Sequence, residues 1–336
     1  MTASPPASGP HVAGGAVRDG EVAVETIDLT KRYGRTTALA GLSMRVRRGE
    51  VFGFLGPNGA GKTTAVKVLL GLARPTSGSG SLLGAPLGDR AARQRVGYLP
   101  ELFRYQAWLT ARDVLGLHAD LAGLPRAGRG AAIDEALLTV GLADRGRDRV
   151  GTFSKGMQQR LGLGVALLGR PELVFLDEPT SALDPIGRQD VRAIIHGLRE
   201  RGTTVFLNSH LLGEVERVCD DVAIVDHGRV VVAGTLDELL GAATVRIRAT
   251  GLDDPARIVG AFGDVSEDPP WIAIRGCPAE RVPDLVAAVV AAGGRIYAVD
   301  AGRETLEERF IELLGRGGSE AAGDGEHVPS VGAPTP

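Results

Sequence analysis

Apolar residues recur along this chain in two rhythms. Val22, Val24 and Ile27 alternate with polar neighbours, and residues 38–46 repeat the pattern, so both stretches read as strands with one buried face. Val51, Phe52, Phe54 and Leu55 form a short, nearly unbroken apolar run, as do residues 173–176, 203–208 and 221–226. Runs of that length and density fit strands buried on both faces of a parallel sheet. Between them come stretches of helical period: residues 65–70, 153–168, 185–200 and 211–219. Strand and helix in alternation predict a parallel α/β core. Residues 75–80 read as a loop, 81–84 as a short hairpin arm and 96–101 as a strand returning to the core. From Leu109 to about Thr152 the pattern is helical only, with Thr110 as a cap and Val114, Leu115, Leu117 and Leu121 on one face; a second helix follows over 131–140. Residues 230–234 and 235–240 supply a last strand and a short helix.

Gly241 marks a boundary. Beyond it the pattern predicts strands at 244–250, 271–275 and 295–299 and helices at 255–262, 282–292 and 305–314. That is a small α+β module, and it holds no cluster of catalytic residue types. Residues 1–20 and 315–336 are rich in Gly, Pro, Ser and Ala without periodicity, and are expected to be disordered.

Composition changes the picture only by exclusion. The 336 residues are 43% hydrophobic and 24% charged, ordinary values for a globular protein, and a net charge of −3 gives no ground for expecting sequence-independent nucleic-acid binding. No apolar run approaches the roughly 20 residues that span a bilayer; residues 285–292 are the longest candidate and stop at Gly293-Gly294. The first 20 residues lack the basic-then-apolar layout of a signal peptide. Cys219 and Cys277 lie far apart and match no metal-ligand spacing, which fits buried free thiols in a reducing compartment.

The chemistry concentrates where the strand at 51–55 ends. Gly56-Pro57-Asn58-Gly59-Ala60-Gly61-Lys62-Thr63-Thr64 follows a strand and opens a helix, the context a phosphate-binding loop requires. Glycines let successive N–H groups face phosphate oxygens, and the helix N-terminus adds a favourable dipole. Lys62 is placed to reach the β- and γ-phosphates and Thr63 to ligate Mg²⁺. Residues 173–178 end a second apolar strand in Asp177 and Glu178, carboxylates at the sheet edge where open parallel sheets bind ligands. Asp177 suits a metal held through its water shell, and Glu178 suits an attacking water. Ser154, before Lys155-Gly156-Met157-Gln158-Gln159-Arg160, caps a helix start and makes a second anion site with Gly156, a weak signal alone.

Taken together, these motifs resemble the ATP-binding subunit of an ABC transporter, in that family's order over residues 21–240. The resemblance implies that Tyr33 stacks on adenine, that 56–64 are Walker A and 173–178 Walker B, and that Glu101 stands where the family usually has the Q-loop glutamine and so serves the metal and the reaction. Ser154 to Gln158 occupy the signature, Ser181-Ala182-Leu183-Asp184 the D-loop, and His210 is the switch histidine. Two departures stand out. Glu101 adds a charge beside the triphosphate, and Lys155 and Met157 replace a glycine and a glutamine while Ser154 and Gly156 remain. These variants resemble bacterial cassettes often tied to export.

The implied fold is α/β: a P-loop NTPase core of the ABC ATPase type with an antiparallel β subdomain and a helical insertion (about 102–168), plus the C-terminal α+β module over 241–314. The implied cofactors are ATP and Mg²⁺, and Asp184 joins the nucleotide-binding set. The implied partners are a separate membrane permease and a second cassette in a head-to-tail homodimer, with the protein cytoplasmic and peripheral on the inner face of the cell membrane. Phe103, Tyr105 and Trp108 read either as local core or as a face toward the membrane partner. The C-terminal module either binds a regulatory ligand or buttresses the dimer. The rival function class is a soluble ABC ATPase acting on ribosomes or DNA; those proteins carry two cassettes in one chain or long coiled-coil insertions, and this sequence shows neither.

Overall fold

The computed structural model describes residues 22–181, 183–241, 244–302 and 305–320. The tail expected over 1–20, Ala182 of the D-loop segment and residues 321–336 lie outside them. The chain forms two compact units that divide between Leu236 and Asp237, ahead of the Gly241 boundary read from the sequence.

In the first unit, β1 (Val22–Tyr33) and β2 (Thr36–Arg47) pair antiparallel, with Val24, Leu29, Leu39, Leu42 and Val46 fully buried. β3 (Val51–Leu55) is buried at every position and leads through the glycine-rich loop into α1 (Lys62–Leu69). β4 (Ser77–Leu82) then pairs with β1, and β5 (Ala85–Pro86) completes a four-stranded antiparallel sheet in the order β2-β1-β4-β5. Residues 77–80 were expected to be loop. They are strand because Gly78 and Gly80 let two backbones touch: a Cβ on Gly78 would lie 2.2 Å from the Asp28 carbonyl oxygen, and one on Gly80 2.7 Å from that of Glu25.

A short helix α2 (Arg90–Arg93), capped by Asp89, precedes β6 (Val96–Leu99). Three helices follow and pack on one another: α3 (Ala111–Leu121), α4 (Arg129–Thr139) and α5 (Lys155–Ala166). Thr110 caps α3, as expected, and Asp113 returns the bond to close a capping box. Its buried stripe is Ala111, Val114, Leu115 and Ala119; Leu117 and Leu121, expected on that face, are 46% and 75% exposed. The inward face therefore runs through Leu115, flanked by the small Ala111 and Ala119, rather than through Leu117 and Leu121.

β7 (Leu173–Asp177), α6 (Pro185–Glu200), β8 (Thr204–Asn208), α7 (Leu212–Val218), β9 (Asp221–Asp226), β10 (Arg229–Thr235) and α8 (Leu236–Leu240) complete the run. Six strands form the central sheet in the order β10-β9-β3-β8-β7-β6, parallel except for β10 on β9. Phe206 of β8 sits at its centre, with the rings of Phe175, Phe54 and Phe52 at 4.9, 5.2 and 5.6 Å. Register sets Phe54 and Asp177 both opposite Asn208, so the carboxyl ends of β3, β8 and β7 open on one crevice.

The second unit runs β11 (Thr244–Thr250), α9 (Pro255–Val259), β12 (Asp264–Asp268), β13 (Trp271–Arg275), α10 (Val282–Ala291), β14 (Arg295–Gly302) and α11 (Leu306–Glu320). Its sheet is antiparallel, in the order β12-β13-β11-β14, so the unit is a β-α-β-β-α-β module. Polar Asp264-Val265-Ser266-Glu267-Asp268 gave no strand signal, yet it pairs along β13 as an edge. Val245, Ile247, Val259, Ile272, Ile274, Leu285 and Val289 make its core. The helix expected over 255–262 ends at Val259 and finishes as a tighter turn over Gly260–Phe262. Glu308 and Thr305 cap α11 reciprocally, and it continues to Glu320, past the point where disorder was expected to begin.

Candidate functional site

The loop after β3 is held by its glycines. A Cβ on Gly56 would lie 2.2 Å from the Val225 carbonyl oxygen and one on Gly61 2.3 Å from that of Ala38, so β9 and β2 both press on this loop. Gly61, at φ 101°, is the N-cap of α1 and carries no side chain to satisfy the helix start. The first free N–H group of that turn to find a partner is that of Ala65, which donates to the Gly61 carbonyl at 2.9 Å. Lys62, Thr63 and Thr64 therefore present helix-terminal N–H groups to an anion.

Lys62 is only 8% exposed. Its ammonium donates to the Gly56 carbonyl at 2.7 Å and the Pro57 carbonyl at 3.1 Å, which leaves one of three donors for a phosphate oxygen. Burial pulls its pKa down, while the charges of Glu178, Asp177 and Glu101 hold it up. Asn58, Gly59 and Thr63 are exposed around it, Pro57 and Thr64 half-buried and Ala60 buried. The Ala60 carbonyl accepts from Gly228, which fixes the loop's far side.

Opposite lies the end of β7. Asp177 is 3% exposed, and burial raises its pKa against a hydrogen bond donated by the Asn208 amide. Glu178 has φ 51°, a left-handed conformation that costs a non-glycine residue about 1–3 kcal/mol. Its backbone N–H donates to the Asn208 carbonyl at 2.8 Å, and Ser181 donates to its carbonyl at 3.1 Å. The turn so fixed puts Glu178 Oε1 2.7 Å from His210 Nδ1, while its Oε2 is buried without a partner among the described residues. Asn208 Oδ1 is likewise buried and unpaired. Asn208 is the residue sequence reasoning missed: it orients Asp177 with its side chain and Glu178 with its backbone. The available signal was a polar residue ending an otherwise apolar strand.

Lys62, Asp177, Glu178, His210 and Glu101 are thus brought together. Ser154, Gly156 and Asp184 are not part of that group. Ser154 accepts from Met157 at 3.2 Å as N-cap of α5, and Asp184 accepts from Gly187 at 2.7 Å as N-cap of α6. With Lys155, Arg160 and Asp190 they line a separate cavity of about 350 Å³ that no residue of the 56–64 loop borders. Gly156 has only ordinary contacts around a Cβ position, so its own chain does not demand glycine there. Tyr33, half-exposed with the Lys31 ammonium 4.7 Å from its ring centre, pairs with Thr36 at the end of the hairpin whose Ala38 abuts Gly61.

The oxygen donors of Thr63, Asp177 and Glu101 suit a hard divalent cation, and the two unpaired buried oxygens beside them leave acceptor capacity for its waters. Among the described residues no three His, Cys, Asp or Glu side chains form a ready metal cage. Also among the described residues, both cysteines are free and buried, and no helix is long and apolar enough to cross a membrane.

A family profile described as ABC transporter matches residues 39–181. The chain is 43% identical over 309 residues to the ABC transporter ATP-binding protein all4389 of Nostoc sp., a match covering 87% of this chain and 89% of that one. It is 43% identical over 219 residues to the bacitracin transport ATP-binding protein BcrA of Bacillus licheniformis (64% and 71% covered), and 33% identical over 302 residues to the linearmycin resistance ATP-binding protein LnrL of Bacillus subtilis (86% and 97%). Among solved structures, an ATP-binding subunit of an ABC transporter superposes with a TM-score of 0.59 at 33% identity, over 64% of this chain and 91% of that one.

Proposed function

Because the chain belongs to the ATP-binding subunits of ABC transporters, ATPases coupled to transport, we propose that two copies close head to tail over two nucleotides and drive a separate membrane permease, in the direction of export. The observation that carries the reading is the division of the anion-binding residues. Lys62 and the start of α1 stand with Asp177 and Glu178 in one crevice, and Ser154 and Gly156 stand in another cavity that borders no part of that loop. Each chain so holds two complementary halves, and a second copy completes them. The relatives named for bacitracin transport and linearmycin resistance support export. The rival reading, a soluble ATPase working on ribosomes or DNA, is not favoured by a set of relatives named as transporter subunits.

In this reading Tyr33 stacks on adenine, residues 56–64 wrap the phosphates and the free Lys62 donor meets a β- or γ-phosphate oxygen. Thr63, Asp177 and Glu101 would hold Mg²⁺, which would supply charge neutralisation to the phosphates. The unpaired Oε2 of Glu178 accepts a proton from the attacking water, whose oxygen bonds to the γ-phosphorus as the bond to the β-bridging oxygen breaks. His210, whose Nδ1 lies 2.7 Å from Oε1, fixes that carboxylate and contacts the γ-phosphate. The partner's Ser154 and Gly156 close the opposite side, and Asp184 shapes that cavity. ATP favours the closed pair through its greater affinity for it, and hydrolysis releases it. The protein then works at the inner face of the membrane through its permease.

Glu178→Gln removes the proton acceptor and keeps the shape. Sedimentation of the variant with ATP should show a stable dimer and at least a hundredfold loss of turnover. A variant that turns over at the parent rate and stays monomeric would refute the assignment.

A further inference from the structure

The crevice carries more negative than positive charge. Register sets Leu99 of β6 beside Leu176 of β7, so Pro100-Glu101 and Asp177-Glu178 follow from neighbouring, parallel strand ends. The fields of Glu178, Asp177 and Glu101 all reach the buried Lys62 ammonium, and those of Glu101 and Glu178 add to the burial that raises Asp177. Tyr98 of β6 is pushed up to about 12 by burial and by the charges of Asp177 and Glu101. Lys62 spends two of its donors on loop carbonyls, and Glu178 Oε2 and Asn208 Oδ1 offer further unpaired acceptors. Glu101 itself is exposed and has no ion pair among the described residues.

We propose that Glu101 makes nucleotide capture depend on a divalent cation. A triphosphate entering alone meets three carboxylates against one partly engaged ammonium, and their repulsion disfavours it. Entering with its cation, the same triphosphate brings the charge that the carboxylates attract. Glu101 is thus a specificity-determining residue that separates metal-loaded from metal-free nucleotide. The absence of a three-ligand cage among the described residues fits a cation that arrives with the nucleotide rather than before it. This inference rests on Lys62 and Asp177 forming the nucleotide seat.

Calorimetric titration of the full chain with a non-hydrolysable ATP analogue, at fixed ionic strength, in Mg²⁺ and in EDTA, tests it. The parent protein should bind far more weakly in EDTA. Glu101→Gln should bind the metal-free analogue roughly fivefold to twentyfold more tightly than the parent and the Mg²⁺-loaded analogue no more tightly, so the ratio of the two affinities narrows. Glu101→Ala should do the same. An unchanged ratio in Glu101→Gln overturns the inference, as does a ratio that moves in Glu101→Ala alone, since that would be a loss of shape. Lys62→Ala is the control for the seat. If it retains analogue binding in Mg²⁺ the seat is misplaced, whereas lost binding there with an unchanged Glu101→Gln ratio sinks only the charge argument.

Discussion

Glu50 shows what a single buried carboxylate does to this molecule. It is 8% exposed, its Oε1 accepts from the Arg47 backbone N–H at 2.7 Å and its Oε2 from the Arg47 guanidinium at 2.9 Å. Burial nevertheless pushes its pKa up to about 7; Arg47 opposes that, and Asp221, which shares Arg47, adds to it. An unfolded glutamate titrates near 4.3, so between about pH 4.3 and 7 the folded chain keeps a proton that the unfolded chain has released. The stabilising contribution is complete below that window and is lost as pH rises through 7. Urea unfolding of Glu50→Gln and the parent at pH 5.5 and pH 8 should show the variant gaining stability relative to the parent at the higher pH; a difference independent of pH would contradict the linkage. Asn208 and the backbone of Glu178 show what escaped sequence reasoning at single residues. The Lys62, Asp177 and Glu178 pattern was readable because strand, loop and helix flank it in order. The strained φ of Glu178 and the two-sided role of Asn208 depend on β7 lying beside β8, which no local pattern states.

At the scale of elements, legibility follows burial. β3, β7 and β8 are buried at every position and were visible as apolar runs. β4 and β12 were not, because what holds them is pairing: Ser77–Leu82 pairs with β1, and Asp264–Asp268 forms an edge on β13. The exposure of Leu117 and Leu121 on α3 likewise came from which neighbours the helix met rather than from its own period. The backbone contact in β4 gives a test. Gly78 has φ 80° and its Cβ position lies 2.2 Å from a carbonyl oxygen, while Gly84, at φ 84°, has open space around it. Gly84→Ala should cost about 1 kcal/mol, the price of the backbone conformation alone. Gly78→Ala must also push β1 and β4 apart and should cost about 3 kcal/mol or more, read from urea midpoints. Equal losses would mean that β4 is held to β1 loosely enough to yield.

For the molecule as a whole, the two units keep separate cores. The cluster around Phe54, Phe175 and Phe206 and the cluster around Ile247, Ile274 and Leu285 have no residue in common. All the residues placed around the nucleotide, from Tyr33 to His210, belong to the first unit. Leu285 is fully buried in α10 against the second sheet, and Leu285→Ala should remove about 3 kcal/mol from that core through lost burial and the cavity left behind. Hydrogen exchange should then speed up over residues 244–302, while β3, β7 and β8 keep their protection and the affinity for a non-hydrolysable ATP analogue stays within twofold. That outcome would assign the module to something other than building the nucleotide seat. A tenfold loss of affinity in Leu285→Ala would instead tie the module's integrity to the seat, since none of its own side chains is needed to form the crevice around Lys62.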